Sequence, residues 1–410
     1  MNMYIKNQIS HCRTVCKDYR LESLARGSFG ASLPCAPNAL KSAYCYYCLR
    51  VPYSLWGSAS EYLFFTCFRV LVEHSRITDN IANRNGGGIS VVQADLLMDD
   101  VVIEHNVAMN DGGGISCAEG NVEMVNSEVN HNAVLGYYEN GADGQNLVAG
   151  SRGGGLFLQS YSSLTASNSN VSGNIAHDSG AGMYLKGEII VVLNGCEISD
   201  NEAGTVGAGI FAQDSVSFKL LAGTRISRNS IMLVDSCDGQ CGDGAGMYLD
   251  SNCDVEMVDS GFYENTATDE GGAFYVKQNS VVRLTRSEIV DNVAAYYGGE
   301  GCVKLSSFFA HNSTISGNAC NLKGGRGAGM YGDNHAIFHF TQSLFVDNEA
   351  RGGSGAGILL SSFSTSVPTP PSPSPLASPC SIEGWLRGHA WPCMAFPLCV
   401  LKAMSDLLCR

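Results

Sequence analysis

The chain has no run of 18 apolar residues, and basic residues are scarce in it. The longest apolar candidate, residues 62–68, is short and is followed by Arg69. A membrane-spanning helix needs about 20 predominantly apolar residues, so no transmembrane span is predicted. Lysine and arginine together number 25 against 39 aspartates and glutamates, and the formal net charge is −14. Such an acidic chain repels the phosphates of nucleic acids, so no nucleic-acid partner is expected.

Helical periodicity is also missing. No repeating segment shows the 3.6-residue apolar pattern of an amphipathic helix. The first residues after Met1 lack the pattern of a secretory signal peptide. With 48 glycines and 45% hydrophobic residues, the composition instead favours many turns around a continuous core.

What the chain does contain is an internal repeat. Ten times, an apolar residue, two variable residues and an asparagine are followed by a small glycine cluster, for example GAGM at Gly244 or GEGC at Gly299. The asparagines lie 26 to 42 residues apart. Self-similarity at such a period is the signature of a solenoid. The ten asparagines are Asn80, Asn106, Asn132, Asn174, Asn201, Asn229, Asn265, Asn292, Asn318 and Asn348.

Positions counted back from each asparagine predict strands. The residues three and eight positions before the asparagine are apolar in every repeat. The residue ten positions before it is apolar except at Lys219. A spacing of two is the period of a strand whose alternate side chains enter a core. The alternation changes phase between the residues eight and five positions before the asparagine, which predicts a corner there. A third strand is predicted after the glycines, as at Met183 and Met247. Three short strands per repeat predict an all-β fold, one coil of a parallel β-helix for each repeat.

The asparagines and glycines are predicted to be structural. Asparagine tolerates the left-handed backbone conformation, and its amide can bond to the next coil, so a stacked ladder at one corner is expected. Glycines supply positive φ angles and allow close backbone approach. These residues are therefore expected to form the scaffold and to take no part in catalysis.

Three motifs resemble a known repeat. GGAF (271–274) beside FYEN (262–265), and FVDN (345–348), are similar to the GGAI and FxxN motifs of the polymorphic outer-membrane protein repeat. That repeat belongs to the right-handed parallel β-helix group with the pectin-lyase-like fold. The resemblance covers roughly residues 70–360 and implies a single right-handed β-helix of about ten to eleven coils. It also implies a secreted or surface-displayed protein that acts in adhesion.

The ends of the chain differ from the repeats. Residues 1–60 are predicted to be an irregular, cysteine-containing N-terminal segment or cap, and residues 61–361 the β-helix. Residues 362–379 are rich in proline and serine and are interpreted as a semi-rigid linker. Residues 380–410 form a tail that contains cysteine and tryptophan.

The cysteines do not predict a metal site. Cys45 and Cys48 form a lone CxxC pair without a second pair or suitably spaced histidines. Cys237 and Cys241 lie in an insertion between coils and are candidates for a small disulfide loop. We expect no metal and no cofactor.

An enzymatic function is the alternative hypothesis. Pectin-lyase-like helices often cleave uronic-acid polymers with clustered carboxylates, and residues just before the ladder asparagines are predicted to face solvent. Stacking places Glu264 and Asp291 in neighbouring coils, near the ~5 Å separation of a retaining glycosidase pair. The NTD, GHG and RIK motifs of polygalacturonase-type enzymes are not found. The pair is thus a candidate for a polysaccharide lyase or glycoside hydrolase, and solvated turns attract acids in any case.

A binding function is the main hypothesis. Two insertions, residues 134–152 and 232–243, leave the same corner after the asparagine, and such insertions tend to mark the binding face of a solenoid. Exposed tyrosines in the segment between the asparagine and the glycine cluster of a repeat can stack on sugar rings. We predict a non-catalytic, extracellular or cell-surface adhesin-like protein that binds glycans or cell-surface or wall proteins. The candidate binding residues are Tyr137, Tyr138, Tyr296 and Tyr297.

Overall fold

A computed structural model of the chain describes residues 43–49, 66–140, 146–149, 151–232, 242–322, 324–362 and 365–369. Its side chains are described for residues 69–136, 151–232, 242–322 and 324–362. All regular structure in these residues is β-strand, and none of it is helix. The strands form a parallel β-helix of ten coils, counted on its ten-stranded sheet. The predicted all-β solenoid is confirmed.

Each coil contains an a, a b, a c and a d strand, in chain order. The a and b strands belong to one bent, 20-stranded sheet. Two long strands, Thr66–Thr78 and Ala94–Glu104, pass through both positions. The other a strands are Asn121–Val125, Ser163–Ser167, Ile190–Asn194, Ser217–Leu221, Asp254–Val258, Val281–Thr285, Ser307–His311, Ile337–Thr341 and Thr365–Thr369. The other b strands are Glu128–Asn130, Asn170–Ser172, Glu197–Ser199, Arg225–Ser227, Gly261–Tyr263, Glu288–Val290, Thr314–Ser316 and Leu344–Val346.

The c strand is a fourth strand that the sequence did not predict. It has two residues and directly follows the ladder asparagine. The c strands are Ile81–Ala82, Val107–Ala108, Ala133–Val134, Ile175–Ala176, Glu202–Ala203, Ser230–Ile231, Val293–Ala294, Ala319–Cys320 and Glu349–Ala350, with Thr266 bridging two of them. Two residues are too few to show a period of two, so no sequence pattern marks this strand.

The d strand follows the glycine cluster, as predicted. The d strands are Ile89–Val92, Ile115–Ala118, Leu156–Gln159, Met183–Lys186, Ile210–Gln213, Met247–Asp250, Phe274–Lys277, Gly301–Lys304, Met330–Asp333 and Ile358–Leu360. One glycine cluster is one residue out of the predicted register, since Phe274 pairs with Gly301. The motif equivalent to GAGM is therefore GGEG from Gly298, which has the positive φ, and not GEGC from Gly299.

The core is a continuous column of apolar side chains inside the coils. Ile198 pairs with Ile226, Ile226 with Phe262, and Phe262 with Ile289 in successive b strands. All four are at most 1% exposed. Alternation within the strands places these side chains inside and their neighbours outside. The predicted inward residues three before the asparagines therefore form the core.

One coil departs from the predicted inward pattern. Phe218 and Leu220 are buried, whereas Lys219 is exposed. The sequence count had placed position 219 and Leu221 inside. The corner that follows this strand has one residue more than in neighbouring coils, so counting back from Asn229 shifts the register by one.

The asparagines form a buried ladder through all ten coils. Each of the nine links resembles that of Asn229, whose backbone N and Nδ2 both donate to Oδ1 of Asn265, at 3.1 and 2.9 Å. Nδ2 of Asn229 also donates to the carbonyl oxygen of Ile198 at 3.0 Å. The eight inner asparagines have no exposed surface. The amide thus satisfies both its own polar atoms and a backbone N–H at the corner.

The left-handed residue at this corner is not the asparagine. It is the residue before it, which we call the pre-ladder column and which has a positive φ in every coil: Asp79, His105, His131, Gly173, Asp200, Arg228, Glu264, Asp291, Gly317 and Asp347. The expectation that the asparagine takes this conformation was wrong. Its side chain must point inward to form the ladder, and the preceding residue makes the turn that permits this.

Strands extend beyond the ten coils at both ends. Ala43–Leu49 pairs antiparallel with the start of Thr66–Thr78. Thr365–Thr369 pairs parallel with Ile337–Thr341. These residues lie in the segments interpreted from sequence as an irregular N-terminal region and a proline-rich linker. The antiparallel hairpin of Tyr137–Asn140 and Asn146–Ala149 occupies the first insertion.

Candidate functional site

Two columns of left-handed residues border the outer face of the b strands. One is the pre-ladder column. The other lies six residues before the ladder asparagines and also has positive φ in every coil: His74, Asp100, Asn126, Asn168, Gly195, Gly223, Asp259, Arg286, Asn312 and Gln342. The b strands have only about three residues between these corners. The outer b face is therefore a narrow strip with exposed corner side chains on both sides.

A polar depression of about 260 Å³ lies on this strip. Arg225 and Glu288 line it, and Gly261 stands between these two residues in the strand register. A Cβ atom at Gly261 would lie 2.5 Å from the hydroxyl oxygen of Tyr263. The tyrosine side chain thus bends across the glycine, and no larger residue fits beneath it.

Tyr263 connects the charged side chains of the depression. The Arg225 guanidinium lies over the Tyr263 ring, with Cζ 3.8 Å from the ring centroid. The Tyr263 hydroxyl donates to Oε2 of Glu288 at 3.2 Å. At the corner, Nε and Nη2 of Arg286 donate to the two carboxylate oxygens of Asp259, both at 2.7 Å. One aromatic ring, two guanidiniums and two carboxylates therefore line a single depression.

The electrostatics of these groups follow from their contacts. Burial, and then the charge of Glu288, raises the pKa of Tyr263. The Arg286 hydrogen bonds lower the pKa of the Asp259 carboxyl. Within the described residues, the Arg225 guanidinium makes no hydrogen bond or ion pair, and its contact is the Tyr263 ring. Arg225 lines the depression, so its N–H groups can donate hydrogen bonds to a ligand oxygen.

Glu264 and Asp291 lie beside this depression, in the pre-ladder column one coil apart. Both are exposed and left-handed. Oδ1 of Asp291 lies over Gly317, where a Cβ atom would come within 2.0 Å of it. Within the described residues neither carboxylate has a hydrogen bond or ion pair.

Two of the tyrosines chosen from sequence, Tyr296 and Tyr297, have described side chains, and their ring centroids are 6.5 Å apart. Tyr296 is 45% exposed. Tyr297 is half-buried and stacks on Tyr331, with ring centroids 4.8 Å apart. The side chains of Tyr137 and Tyr138, like Cys237 and Cys241, lie outside the described part of the structure. Five other cysteines, Cys117, Cys196, Cys253, Cys302 and Cys320, are buried free thiols.

Sequence reasoning missed an aromatic column on the outer side of the d strands. Successive rings are stacked 4.6 to 5.4 Å apart, and each is at most 8% exposed: Phe157, Tyr184, Phe211, Tyr248 and Tyr275. The signal was present, because an aromatic residue follows the glycine cluster by the same interval in each of these coils. Burial makes this column a second hydrophobic core, and not a platform for sugars.

A cluster of titratable groups adjoins this column. Oε2 of Glu270 accepts from Nζ of Lys304 at 2.6 Å and from the Cys302 thiol at 3.1 Å. Burial and the charge of Glu270 raise the pKa of Asp243 to about 7, and the same two causes raise that of Asp269 to about 6. Burial raises the pKa of the Cys302 thiol well above its usual value, so it is not a thiolate nucleophile.

The fold and this face define the protein as a parallel β-helix with a polar depression on one side. The family model described as "Right handed beta helix region" matches residues 145–318, which include the depression. Comparison with curated proteins and with solved structures finds no match. The described residues include no helix that is long and apolar enough to cross a membrane.

Proposed function

We propose that the protein is a non-catalytic, adhesin-like β-helix that binds glycans on its outer b face at the Tyr263 depression. The observation that carries this proposal is the open guanidinium of Arg225 on the Tyr263 ring. Glycans are recognised by apolar contact with an aromatic ring together with hydrogen bonds from planar polar groups, and both are present here.

The shape of the face supports an extended ligand. Strands of successive coils are ~4.8 Å apart, so the b face is a regular strip along the solenoid axis. Such surfaces suit long polymers or a partner's surface. A cell-surface or wall protein that presents sugars or acidic groups is the corresponding protein partner.

The setting of the protein is part of the same proposal. The resemblance of FYEN, GGAF and FVDN to polymorphic outer-membrane protein repeats favours a secreted or surface-displayed adhesin. The acidic surface, with a formal net charge of −14, argues against a nucleic-acid ligand. We therefore place the protein outside the cell or on its surface.

The proposal is tested by screening the purified chain on a glycan array and measuring the affinity for each hit by calorimetry. Tyr263→Ala should weaken binding by at least about tenfold, since alanine substitution of a central aromatic contact costs ~2 kcal/mol. Tyr161→Ala is the matched control, because Tyr161 is 73% exposed and lies outside the depression. Equal affinities for wild type and Tyr263→Ala would place the ligand elsewhere, and an array without hits would remove the glycan proposal.

A polysaccharide lyase or glycoside hydrolase is the second candidate, because Glu264 and Asp291 are exposed carboxylates one coil apart in the pre-ladder column. The test is incubation with polygalacturonate and alginate, followed by measurement of new reducing ends and unsaturated products. We expect no turnover by the wild type and none by Glu264→Gln/Asp291→Asn. Turnover that the double variant loses would establish the enzyme and overturn the non-catalytic proposal.

A further inference from the structure

Two histidines form a stacked pair on the surface of the early coils. The rings of His105 and His131 have centroids 5.5 Å apart and an interplanar angle of 12°. Both residues belong to the pre-ladder column, and both have left-handed backbones, with φ of 54° and 53°. His131 is exposed, and the His105 side chain is 56% exposed.

The ladder holds this pair in register. Glu104 and Asn130 are strand partners directly before the two histidines. Directly after them, the backbone N and Nδ2 of Asn106 both donate to Oδ1 of Asn132 at 3.0 Å. The two histidine backbones are therefore fixed as neighbours one strand spacing apart, about 4.8 Å.

The surroundings leave the imidazoles accessible. In the next coil the column continues with Gly173, and a Cβ atom there would lie 2.9 Å from the His131 ring. In the preceding coil it continues with Asp79, whose carboxylate accepts from Thr78 Oγ1 at 2.9 Å. On the strand, Oε1 of Glu104 is 3.9 Å from Nδ1 of His105 and pairs with Arg76. Among the side chains that the structure describes, none stands in the column on the glycine side, and the neighbouring carboxylates favour a cation.

We propose that His105 and His131 form a two-imidazole binding site for a divalent transition-metal ion such as Zn²⁺, Cu²⁺ or Ni²⁺. Neutral imidazole nitrogen is a preferred ligand of these ions, whereas Ca²⁺ and Mg²⁺ take oxygen. Two exposed rings on neighbouring strands reach one ion by rotation about their side-chain torsions, without movement of the ladder. No group of three or more metal-ligating side chains occurs among the described residues, so water completes the coordination.

The site is independent of the Tyr263 depression, which lies several coils away along the column. The early coils thus bind a metal ion, which is a different class of ligand from the glycan proposed for the depression. Because a bound metal keeps open positions for water, it can also accept a histidine or carboxylate from a partner surface.

The test is calorimetric titration of the full chain with NiCl₂ and with ZnCl₂ at pH 7.5 in a non-chelating buffer. His105→Gln and His131→Gln should each weaken the site by at least about tenfold, as even outer-shell partners of metal ligands contribute that much. His177→Gln is the control, an exposed histidine with no stacked neighbour among the described residues. Ions held by thiols elsewhere contribute equally to all four proteins and cancel in the comparison.

A histidine-specific readout accompanies the titration. Paramagnetic Ni²⁺ should broaden the imidazole proton signals that disappear in the His105→Gln and His131→Gln spectra, before it broadens the His177 signal. The same binding isotherm for wild type, His105→Gln and His131→Gln, or equal broadening of all imidazole signals, would overturn the proposal.

Discussion

The side-chain amide of Asn229 donates to Oδ1 of Asn265 at 2.9 Å, across 36 residues of sequence. The insertion between them includes residues 233–241, yet the link matches that between Asn265 and Asn292, which are 27 residues apart and 2.8 Å from Nδ2 to Oδ1. In the sequence, the insertion falls between the ladder asparagine and the next d strand. The ladder therefore sets the register of the coils independently of loop length.

Asn265→Ala should destabilise the solenoid by at least about 3 kcal/mol. It removes the acceptor of two Asn229 donors and leaves the carbonyl oxygen of Ile226 without its amide partner, and each buried unsatisfied group costs about 1–3 kcal/mol. The measurement is urea unfolding followed by circular dichroism. Asn80→Ala, at the partly exposed end of the ladder, is the control and should cost clearly less. A similar cost at both ends would show that the ladder adds little to stability.

Phe262→Ala should cost about 3–5 kcal/mol or unfold the adjoining coils, because the side chain is 1% exposed and stacks between Ile226 and Ile289. Exposed Glu264→Ala should cost less than about 0.5 kcal/mol. Both are compared by denaturant midpoints. If the two substitutions had equal effects, the inward and outward assignment of this strand would be wrong.

Glu300→Ala should stabilise the protein by about 1–3 kcal/mol at neutral pH, the usual cost of a buried polar group without a partner. Glu300 is fully buried, and neither carboxylate oxygen has a hydrogen-bond partner among the described residues. It directly precedes a d strand, and the equivalent residues before the paired d strands are Ala273 and Gly329, so alanine fits this column. The check is thermal unfolding of the variant beside Ala273→Glu, which should lose stability. A less stable Glu300→Ala protein would mean that the carboxyl has a partner we have not identified.

Stability should fall as the pH rises from about 4 to 8. Burial raises the pKa of Asp243 from its usual acidic range to about 7, so the folded protein keeps a proton that the unfolded chain releases. The stabilisation from this bound proton is fully present below the unfolded-state pKa of about 4, and it is lost as the pH rises through the folded-state pKa of about 7. Burial also raises the pKa of the Glu300 carboxyl, so this group likewise makes stability fall as the pH rises.

The measurement is the free energy of unfolding at pH 5 and pH 8 for wild type and Asp243→Asn. The variant should remove a difference of up to a few kcal/mol, since one pKa unit corresponds to about 1.36 kcal/mol. Asp347→Asn, at an exposed corner, is the control and should keep the wild-type difference. An unchanged pH dependence in Asp243→Asn would assign the effect to other groups.

Much of the scaffold could be predicted from sequence because every coil repeats it. The ladder asparagine and the apolar residue three positions before it, such as Phe262, occur at the same place in all ten repeats. The two-residue alternation of a strand then identifies which side chains are buried. The same counting failed at Lys219, where one extra corner residue shifted the phase. It also failed for the c strand, which is too short to carry a period.

The candidate site could be predicted only in part. The position of Glu264 and Asp291 in one exposed column followed from the repeat. The depression did not, since it depends on Gly261 lacking a side chain next to Tyr263, with Arg225 and Glu288 on either side. Arg225 and Glu288 are 36 and 27 positions from Gly261 in the chain, and they meet it only through the register.

The sequence by itself determined the solenoid, its period, its ladder residues and its main core, because a coil must place the same side chains inside at each turn. Only the tertiary structure decided which outward side chains meet. Stacked coils bring residues of different repeats within ~4.8 Å, and their contacts depend on neighbours in both coils. The Tyr263 depression, the His105–His131 pair and the isolated Glu300 carboxyl all arise at this level.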